Sequence, residues 1–379
     1  MQLSVVILNY NVQYFLLQCV DSVVRAVRGM DAEIIVVDNN SPDESCALLK
    51  TYFPGVNLIA HPENAGFPKG NNIGVAAAAG RLVLILNPDT VLSEDTLTKA
   101  IAHYEQLENP GILGVKLIDG RGNFLPESKR GVPTPFVAFT KVSGLYKIAP
   151  QLFGKYYANH LAENRSGEVD ILVGAFMLMP RELYLKSGGF DENCFMYSDD
   201  IDLSYTVLKS GRKNYYFGQT SVIHYKGEST VKDRKYVQRF SEAMDFFYRK
   251  HFRRAPIFDF FMRVGAYFFS VAKSTTTSLP VNPKHFYLIS DSTEVAARVR
   301  KSIAQEIRLL ADINGLTISD QTEIIFDAHY FSYADIIRNM ELLKDGRVTF
   351  KIAHPGMSFL IGSNSSNDRG TVIVLADHR

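Results

Sequence analysis

The stretch LSVVILNYNVQYFLLQCVDSVVRAVRGMDAEIIVVDNNSPD, residues 3–43, decides the fold. Leu3 to Leu8 is an apolar run, Tyr14 to Val27 has helical spacing, and Glu33 to Val37 is a second apolar run closing on Asp38-Asn39-Asn40-Ser41. Short apolar runs joined by a helix-length segment make a βαβ unit, since parallel strands need a long crossover. The alternation continues with a helix near Glu44 to Tyr52, strand Asn57 to Ala60, a Gly-containing loop, the alanine-rich helix Lys69 to Ala79 and the apolar Arg81 to Leu86. This predicts an α/β chain with a doubly wound, mostly parallel sheet and helices on both faces, in which ligands bind beyond the carboxyl ends of the strands. The polar residues that directly follow each strand are therefore the ones to watch.

The remaining composition is that of a folded chain of two or three domains: 379 residues, 46% hydrophobic and 21% charged. The 41 basic and 40 acidic side chains leave a net charge of +1, which excludes the basic field of a nucleic-acid binder, so an anionic ligand must be caught locally. Cys19, Cys46 and Cys194 lie far apart, without the spacing of a zinc or redox site, as in a reducing cytoplasmic compartment. The start, MQLSVVILNYN, lacks signal-peptide features and reads as a buried strand.

Residues 110 to 225 are less regular, with a polar stretch from Asp119 to Pro135 and an aromatic-rich one from Phe136 to Tyr157, the pattern of a functional loop region. An apolar run, Ile171 to Met179, leads through Gly188-Gly189-Phe190-Asp191 to Asp199, Asp200 and Asp202. From Arg249 the sequence RKHFRR precedes Ile257 to Ala272, rich in Phe and Tyr but interrupted by Asp259 and Arg263, short of the ~20 apolar residues of a spanning helix. Two readings stand side by side: peripheral contact of residues 249–273 with an anionic membrane surface, or an amphipathic helix packed on the domain or on a second copy in a homo-oligomer. Ser274 to Pro283 reads as a linker. Beyond it, Phe286 to Ser290, a helix Thr293 to Ala311, Thr322 to Phe326, a helix Tyr333 to Lys344 and Val348 to Ala353 predict a second, small α/β unit. The expected domains are thus 1–248, a helix and linker over 249–283, and an accessory unit over 284–379.

Five constellations carry chemistry. Asn87-Pro88-Asp89-Thr90 follows a buried strand, where a carboxylate suits a hard divalent cation neutralising a diphosphate, although the same residues also form a common turn. Asp38-Asn39-Asn40-Ser41-Pro42-Asp43 offers acceptors for a nucleobase or ribose, or an Asx cap on the next helix. Glu63 to Asn72 carries glycines for close backbone approach and opens a helix whose N-terminal end favours phosphate, although a plain loop and helix cap explains most of it. Tyr197 to Leu203 holds three carboxylates within four positions, a crowding that raises at least one pKa as a general base needs, or else an acidic helix start. His224-Tyr225-Lys226 with Ser229 can meet a metal or phosphate, or be structural.

Taken in order, VVILNYN, VVDNNSPD, ENAGFPKGNNIG, LILNPDT, LVGAFMLMPRELYLKSGGFDE, FMYSDDIDLSYTVLKSG and IHYKGEST resemble the successive motifs of the family 2 inverting glycosyltransferases, in the bacterial rhamnosyltransferase-like branch. The resemblance implies a GT-A fold and transfer of a sugar from a nucleotide-sugar donor (a dTDP-rhamnose or UDP-sugar) to a glycan or lipid-linked glycan acceptor, with Mg²⁺ or Mn²⁺ as cofactor. By position, Asp89 and His224 would be metal contacts, with Asn87 standing where the family has its first acid. Asp200 would be the base and Asp199 its neighbour in the family's acidic pair. Asn9, Asp38, Asn40, Asn64, Gly66, Phe67, Gly70, Asn71, Asn87, Gly174, Ala175 and Lys226 would line the donor, and Asp191 and Asp202 the acceptor side. A sugar nucleotidyltransferase should instead show a glycine-rich basic loop after the first strand, where this chain has Asn9-Tyr10-Asn11. A membrane-associated scaffold that binds sugar nucleotides without turnover is the non-enzymatic alternative. No nucleic-acid partner is expected.

Overall fold

A computed structural model describes residues 1–134, 157–194, 198–226, 234–252, 283–314, 316, 321–344, 347–364 and 369–376. The first sheet is built from β1 (Leu3–Asn9), β2 (Ala32–Asp38), β3 (Asn57–Ala60), β4 (Leu82–Leu86), β5 (Thr90–Val91), β6 (Pro110–Ile118), β7 (Gly167–Val169), β8 (Phe176–Pro180) and β9 (Lys213–His224). Its order is β3-β2-β1-β4-β8-β6-β9-β5, with β7 also paired to β9. The block β3-β2-β1-β4 is parallel, as the opening stretch predicts, whereas β8 runs antiparallel to β4 and β6.

Alternation within the strands sorts the helices. Leu3, Val5 and Ile7 face α1 (Gln13–Ala26), α2 (Ser45–Tyr52) and α4 (Thr96–Tyr104). Val6 and Leu8 face α3 (Gly66–Ala77), α5 (Arg181–Lys186) and α6 (Asp199–Lys209). Both faces of β1 are buried, which is why its sequence, apart from Ser4 and the terminal Asn9, is apolar instead of alternating. A further helix, α7 (Arg234–His251), lays Met244, Phe247 and Tyr248 on Ile201 of α6.

The second sheet is β11-β10-β12-β13-β14-β15, from β10 (His285–Ile289), β11 (Ile307–Leu310), β12 (Thr322–Asp327), β13 (Val348–His354), β14 (Phe359–Gly362) and β15 (Thr371–Val374). The expected long helix over 293–311 is instead α8 (Thr293–Ser302) followed by strand β11. The chain leaves the helix at Ile303, whose extended backbone starts the turn toward Ile307, so two apolar segments that share one stretch of sequence belong to different elements. The hairpin partner β14 and the edge strand β15 add two antiparallel strands that the sequence reading lacks.

This second unit is fused to the first through a common apolar core. Phe15 and Leu17 of α1, Val91, Ile118, Ile223 and Tyr225 pack with Phe326, Phe350 and Phe359 of the second sheet and with Tyr333, Ile336 and Met340 of α9 (Tyr333–Leu343). Helix α1 accordingly carries two apolar stripes: Leu16, Cys19, Val20 and Val23 toward the first sheet, Phe15 and Leu17 toward the second. Polar contacts frame the seam. Gln18 Nε2 lies 3.1 Å from His354 Nε2, Arg25 donates to the Ala328 carbonyl, Glu94 accepts from the first two amides of α9, and Lys116 pairs with Glu341.

Candidate active site

The carboxyl ends of β2, β1 and β4 lie side by side and place Asp38, Asn9 and Asn87 along one edge of the sheet. Asp38 is buried and heavily hydrogen-bonded: its Oδ1 accepts from Asn9 Nδ2 at 2.7 Å and Ser41 Oγ at 2.6 Å, its Oδ2 from the Ser41 amide at 2.9 Å. That is an Asx turn locked by the neighbouring strand, and it leaves the buried Asn9 Oδ1 without a partner. Asn40 is exposed, with φ 61°. Its neighbour Asn39, which the sequence reading does not single out, does the bridging: Asn39 Nδ2 donates to Asn64 Oδ1 at 2.8 Å and Asn39 Oδ1 accepts the Ala65 amide. Asn64 also accepts from Gly66, where φ is +81°. Asn11, Asn40 and Lys226 share the left-handed conformation on loops that follow β1, β2 and β9, a conformation rare for residues other than glycine and asparagine.

The second group surrounds the end of β4. Thr90 pairs with His224 across β5 and β9, which brings His224 Nε2 to 3.4 Å from both Asp89 Oδ1 and Asn87 Nδ2. Asp89 and His224 are 4% and 6% exposed, yet Asp89 Oδ1, His224 Nδ1 and Asn87 Oδ1 have no hydrogen-bond partner. Three orphaned polar atoms in a buried cluster are costly unless a ligand completes them, and two oxygens with an imidazole nitrogen suit Mg²⁺ or Mn²⁺. No cluster of three or more acidic, His or Cys side chains able to hold a metal occurs among the described residues, so a cation here would draw its other ligands from a phosphate-bearing molecule or water. Beneath this loop, Cys19 touches the Asn87 carbonyl and Thr90 Oγ1, and burial pushes its thiol up to about 12, which makes it packing and not a nucleophile.

The third group lies across the edge from the second. Asp199, Asp200 and Asp202 occupy the first turn of α6, where the helix dipole favours negative charge. The structure gives Asp200 and Asp202 different surroundings. Asp200 Oδ2 accepts from Arg130 Nη2 at 2.7 Å and from the Gly174 amide at 3.1 Å. Asp202, 2% exposed, is taken up by Lys250 at 2.8 Å and His251 at 2.6 Å and thereby anchors α7. Lys250 also reaches Asp191 at 2.7 Å; burial opposes ionisation of Asp191, but Lys250 and Asn193 outweigh it and hold the carboxyl below its usual range. Asp191 and Asp202 are therefore joined by one lysine.

Some predicted donor residues serve packing. A Cβ on Gly70 would lie 2.4 Å from Leu8 Cδ1, so glycine there lets α3 sit on β1. Asn71 is buried, donates to the Phe67 carbonyl and keeps Oδ1 unpartnered. Phe67 stacks edge-on against Phe190 at 5.4 Å. A Cβ on Gly174 would meet Phe67 and the Asp200 Cβ at an ordinary 3.5 Å, so packing does not demand this glycine. Ala175 accepts the Asn87 amide and ties the loop before β8 to the metal-binding candidate. Lys226 pairs with Glu127, and although burial acts against that carboxylate, the lysine keeps it below its usual range. Arg130 is the principal residue missing from the sequence reading: it sits in a polar stretch with no spacing that ties it to Asp200. Phe195 to Tyr197, Gly227 to Thr230, the aromatic stretch 135–156 and residues 253–282 of the expected membrane-contact segment and linker lie outside the described residues. Among the described residues, no helix is long and apolar enough to cross a membrane.

Residues 4–186 match the family model Glycosyl transferase family 2. Similar proteins include the low-salt glycan biosynthesis hexosyltransferase Agl10 of Haloferax volcanii, 26% identical over 250 residues (64% of this chain, 73% of that protein). The N-acetylglucosaminyl-diphospho-decaprenol L-rhamnosyltransferase of Mycobacterium tuberculosis is 25% identical over 216 residues (53% and 68%). The poly(ribitol-phosphate) beta-glucosyltransferase of Bacillus spizizenii is 25% identical over 268 residues (66% and 40%). Among solved structures, the mannosyltransferase PcManGT from Pyrobaculum calidifontis in complex with GDP-Man and Mn²⁺ aligns with a TM-score of 0.48 at 16% identity, covering 73% of this chain and 76% of that one. The family match and the curated relatives define the class as a glycosyltransferase. The matched region, just under half of the chain, is a glycosyltransferase family 2 domain; it runs from β1 to the end of α5, just short of the carboxylates on α6.

Proposed function

We propose that the protein transfers a sugar from a nucleoside-diphosphate donor to a hydroxyl of a glycan or lipid-linked glycan in cell-surface polysaccharide synthesis, with inversion at the anomeric carbon. The observation that supports this best is the pairing of two unlike acidic sites on one sheet edge: Asp89 with His224 and orphaned atoms, and Asp200 with one oxygen held and no hydrogen bond to the other among the described residues. Asp89 and His224 would hold a divalent cation, Mg²⁺ or Mn²⁺, which supplies neutralisation of the charge that develops on the departing diphosphate. Asp38 with Asn9 and the Asn39–Asn64 bridge form the rim against which the nucleoside rests. Asp200 Oδ1 takes the proton of the acceptor hydroxyl as its oxygen attacks the anomeric carbon from the face opposite the leaving group. A single displacement of this kind needs no nucleophilic side chain, consistent with the inert, buried Cys19. The relatives' names, one for rhamnosyl transfer to N-acetylglucosaminyl-diphospho-decaprenol and one for glucosyl transfer to poly(ribitol-phosphate), support a rhamnosyl or glucosyl donor and a lipid-linked or polymeric acceptor.

The test is a panel of dTDP-, UDP- and GDP-sugars, with and without Mn²⁺, read by thermal shift and by donor hydrolysis. One donor should stabilise the protein in a metal-dependent way and be turned over. Binding without turnover would favour the scaffold reading, and no response to any donor would overturn the transferase reading.

A further inference from the structure

Resting on Asp200 as the base, we propose that Arg130 is its positioning residue: the guanidinium fixes Oδ2 so that Oδ1 alone is presented to the acceptor hydroxyl. Arg130 is 8% exposed and its place is fixed at the backbone. Its amide donates to the Ile171 carbonyl at 2.9 Å and its carbonyl accepts the Ile171 amide at 2.8 Å, an isolated bridge between the chain before residue 134 and the segment that leads into β8. From that bridge Nη2 reaches two acceptors, the Leu172 carbonyl at 2.9 Å and Asp200 Oδ2 at 2.7 Å. The Gly174 amide adds a second donor to the same oxygen at 3.1 Å.

A carboxylate at a helix start rotates between rotamers of similar energy unless its oxygens are made unequal. Here two donors, one of them charged, fall on Oδ2, and among the described residues none falls on Oδ1. Charge-assisted hydrogen bonds are the strong ones, so the arrangement selects one side-chain orientation before any substrate binds. The same guanidinium ties that orientation to the Leu172–Gly174 segment, and Gly174 stands between Phe67 and Asp200. The charged neighbours of Asp200 on its own helix are Asp199 and Asp202, and Asp202 is already engaged by Lys250 and His251 from α7. Arg130 is thus the cation that reaches Asp200 itself among the described residues.

The experiment compares the parent, Arg130→Gln, Arg130→Lys, Asp200→Asn and the double variant Arg130→Gln/Asp200→Asn, using hydrolysis of the donor found by the sugar-nucleotide panel and donor affinity by thermal shift. Arg130→Gln should lower kcat about 10- to 100-fold at unchanged donor affinity, as expected when orientation of a catalytic group is lost. Arg130→Lys should recover part of that loss. The double variant should be no slower than Asp200→Asn alone, because a residue that acts through another has nothing left to position. Additive losses, or a loss of donor affinity in Arg130→Gln, would show Arg130 acting on the donor and overturn the proposal. A variant that is merely less stable, with parental kcat per folded molecule, would overturn it too. Parental turnover by Asp200→Asn would refute the assignment of the base, and the positioning role with it.

Discussion

Tyr333→Phe tests whether the second sheet is a part of the catalytic body or an appendage. Tyr333 is fully buried at the start of α9, and its hydroxyl donates to Asp21 Oδ2 of α1 at 2.7 Å. Arg25 completes the triad, 2.9 Å from the same Asp21 oxygen and 4.8 Å above the Tyr333 ring. Phenylalanine keeps the ring and opens no cavity, so the change isolates one hydrogen bond to a carboxylate, worth about 1.5–3 kcal/mol. Asp21 retains Arg25 and is 19% exposed, so water replaces part of the loss and the lower end of that range, roughly 1.5 kcal/mol, is expected. Urea unfolding of the full chain, followed by far-UV circular dichroism and tyrosine fluorescence, should give a single transition displaced as a whole to lower urea. A loss below about 0.5 kcal/mol, the scatter of an inconsequential surface change, or displacement of only part of the signal would refute the reasoning.

His354 gives the same seam a pH dependence: burial and the nearby Arg25 lower its pKa from 6.5 to about 3. Between those values the unfolded chain takes up a proton that the folded chain does not, so stability is complete above pH ~6.5 and falls by a few kcal/mol as pH drops toward 3; His354→Gln should flatten that slope in acid unfolding curves. Asp89→Ala should abolish the metal-dependent part of donor stabilisation in thermal shift, while stabilisation that survives intact would remove Asp89 from the cation site. Asp200→Asn should keep donor binding and lower turnover about 10²- to 10⁴-fold, and near-parental turnover would exclude it as the base. Gly174→Ala should fold with parental stability, since its Cβ has ordinary contacts, but weaken donor binding by filling the gap beside Phe67; unchanged affinity would show that the donor does not use that gap.

The parallel block was legible because its strands β1, β2 and β4 are buried on both faces and are followed by polar residues that cannot stay in a sheet, whereas β3 at the edge is only partly buried. The end of β4 was legible for the same reason. The roles of single residues were less so, since one type serves two purposes: Gly70 clears Leu8 while Gly174 clears nothing in the protein, and their sequence contexts do not tell them apart. The crowded carboxylates were read as one cluster, yet the structure sends Asp202 to α7 and Asp200 to Arg130, partners remote in sequence. Arg130 could not be found from pattern, because its contact with Asp200 depends on the Ile171 bridge, which joins two irregular segments. The helix–strand break at Ile303 escaped because short apolar runs do not announce their period.

Helix α1, with an apolar stripe on each side, has a practical consequence for anyone dividing this chain. Removing residues 284–379 would leave Phe15, Leu17, Ile223 and Tyr225 facing water, next to the strand end that carries His224. Such a fragment is expected to aggregate before its activity can be measured, and a chimera that exchanges the second unit must carry a matching α1 with it.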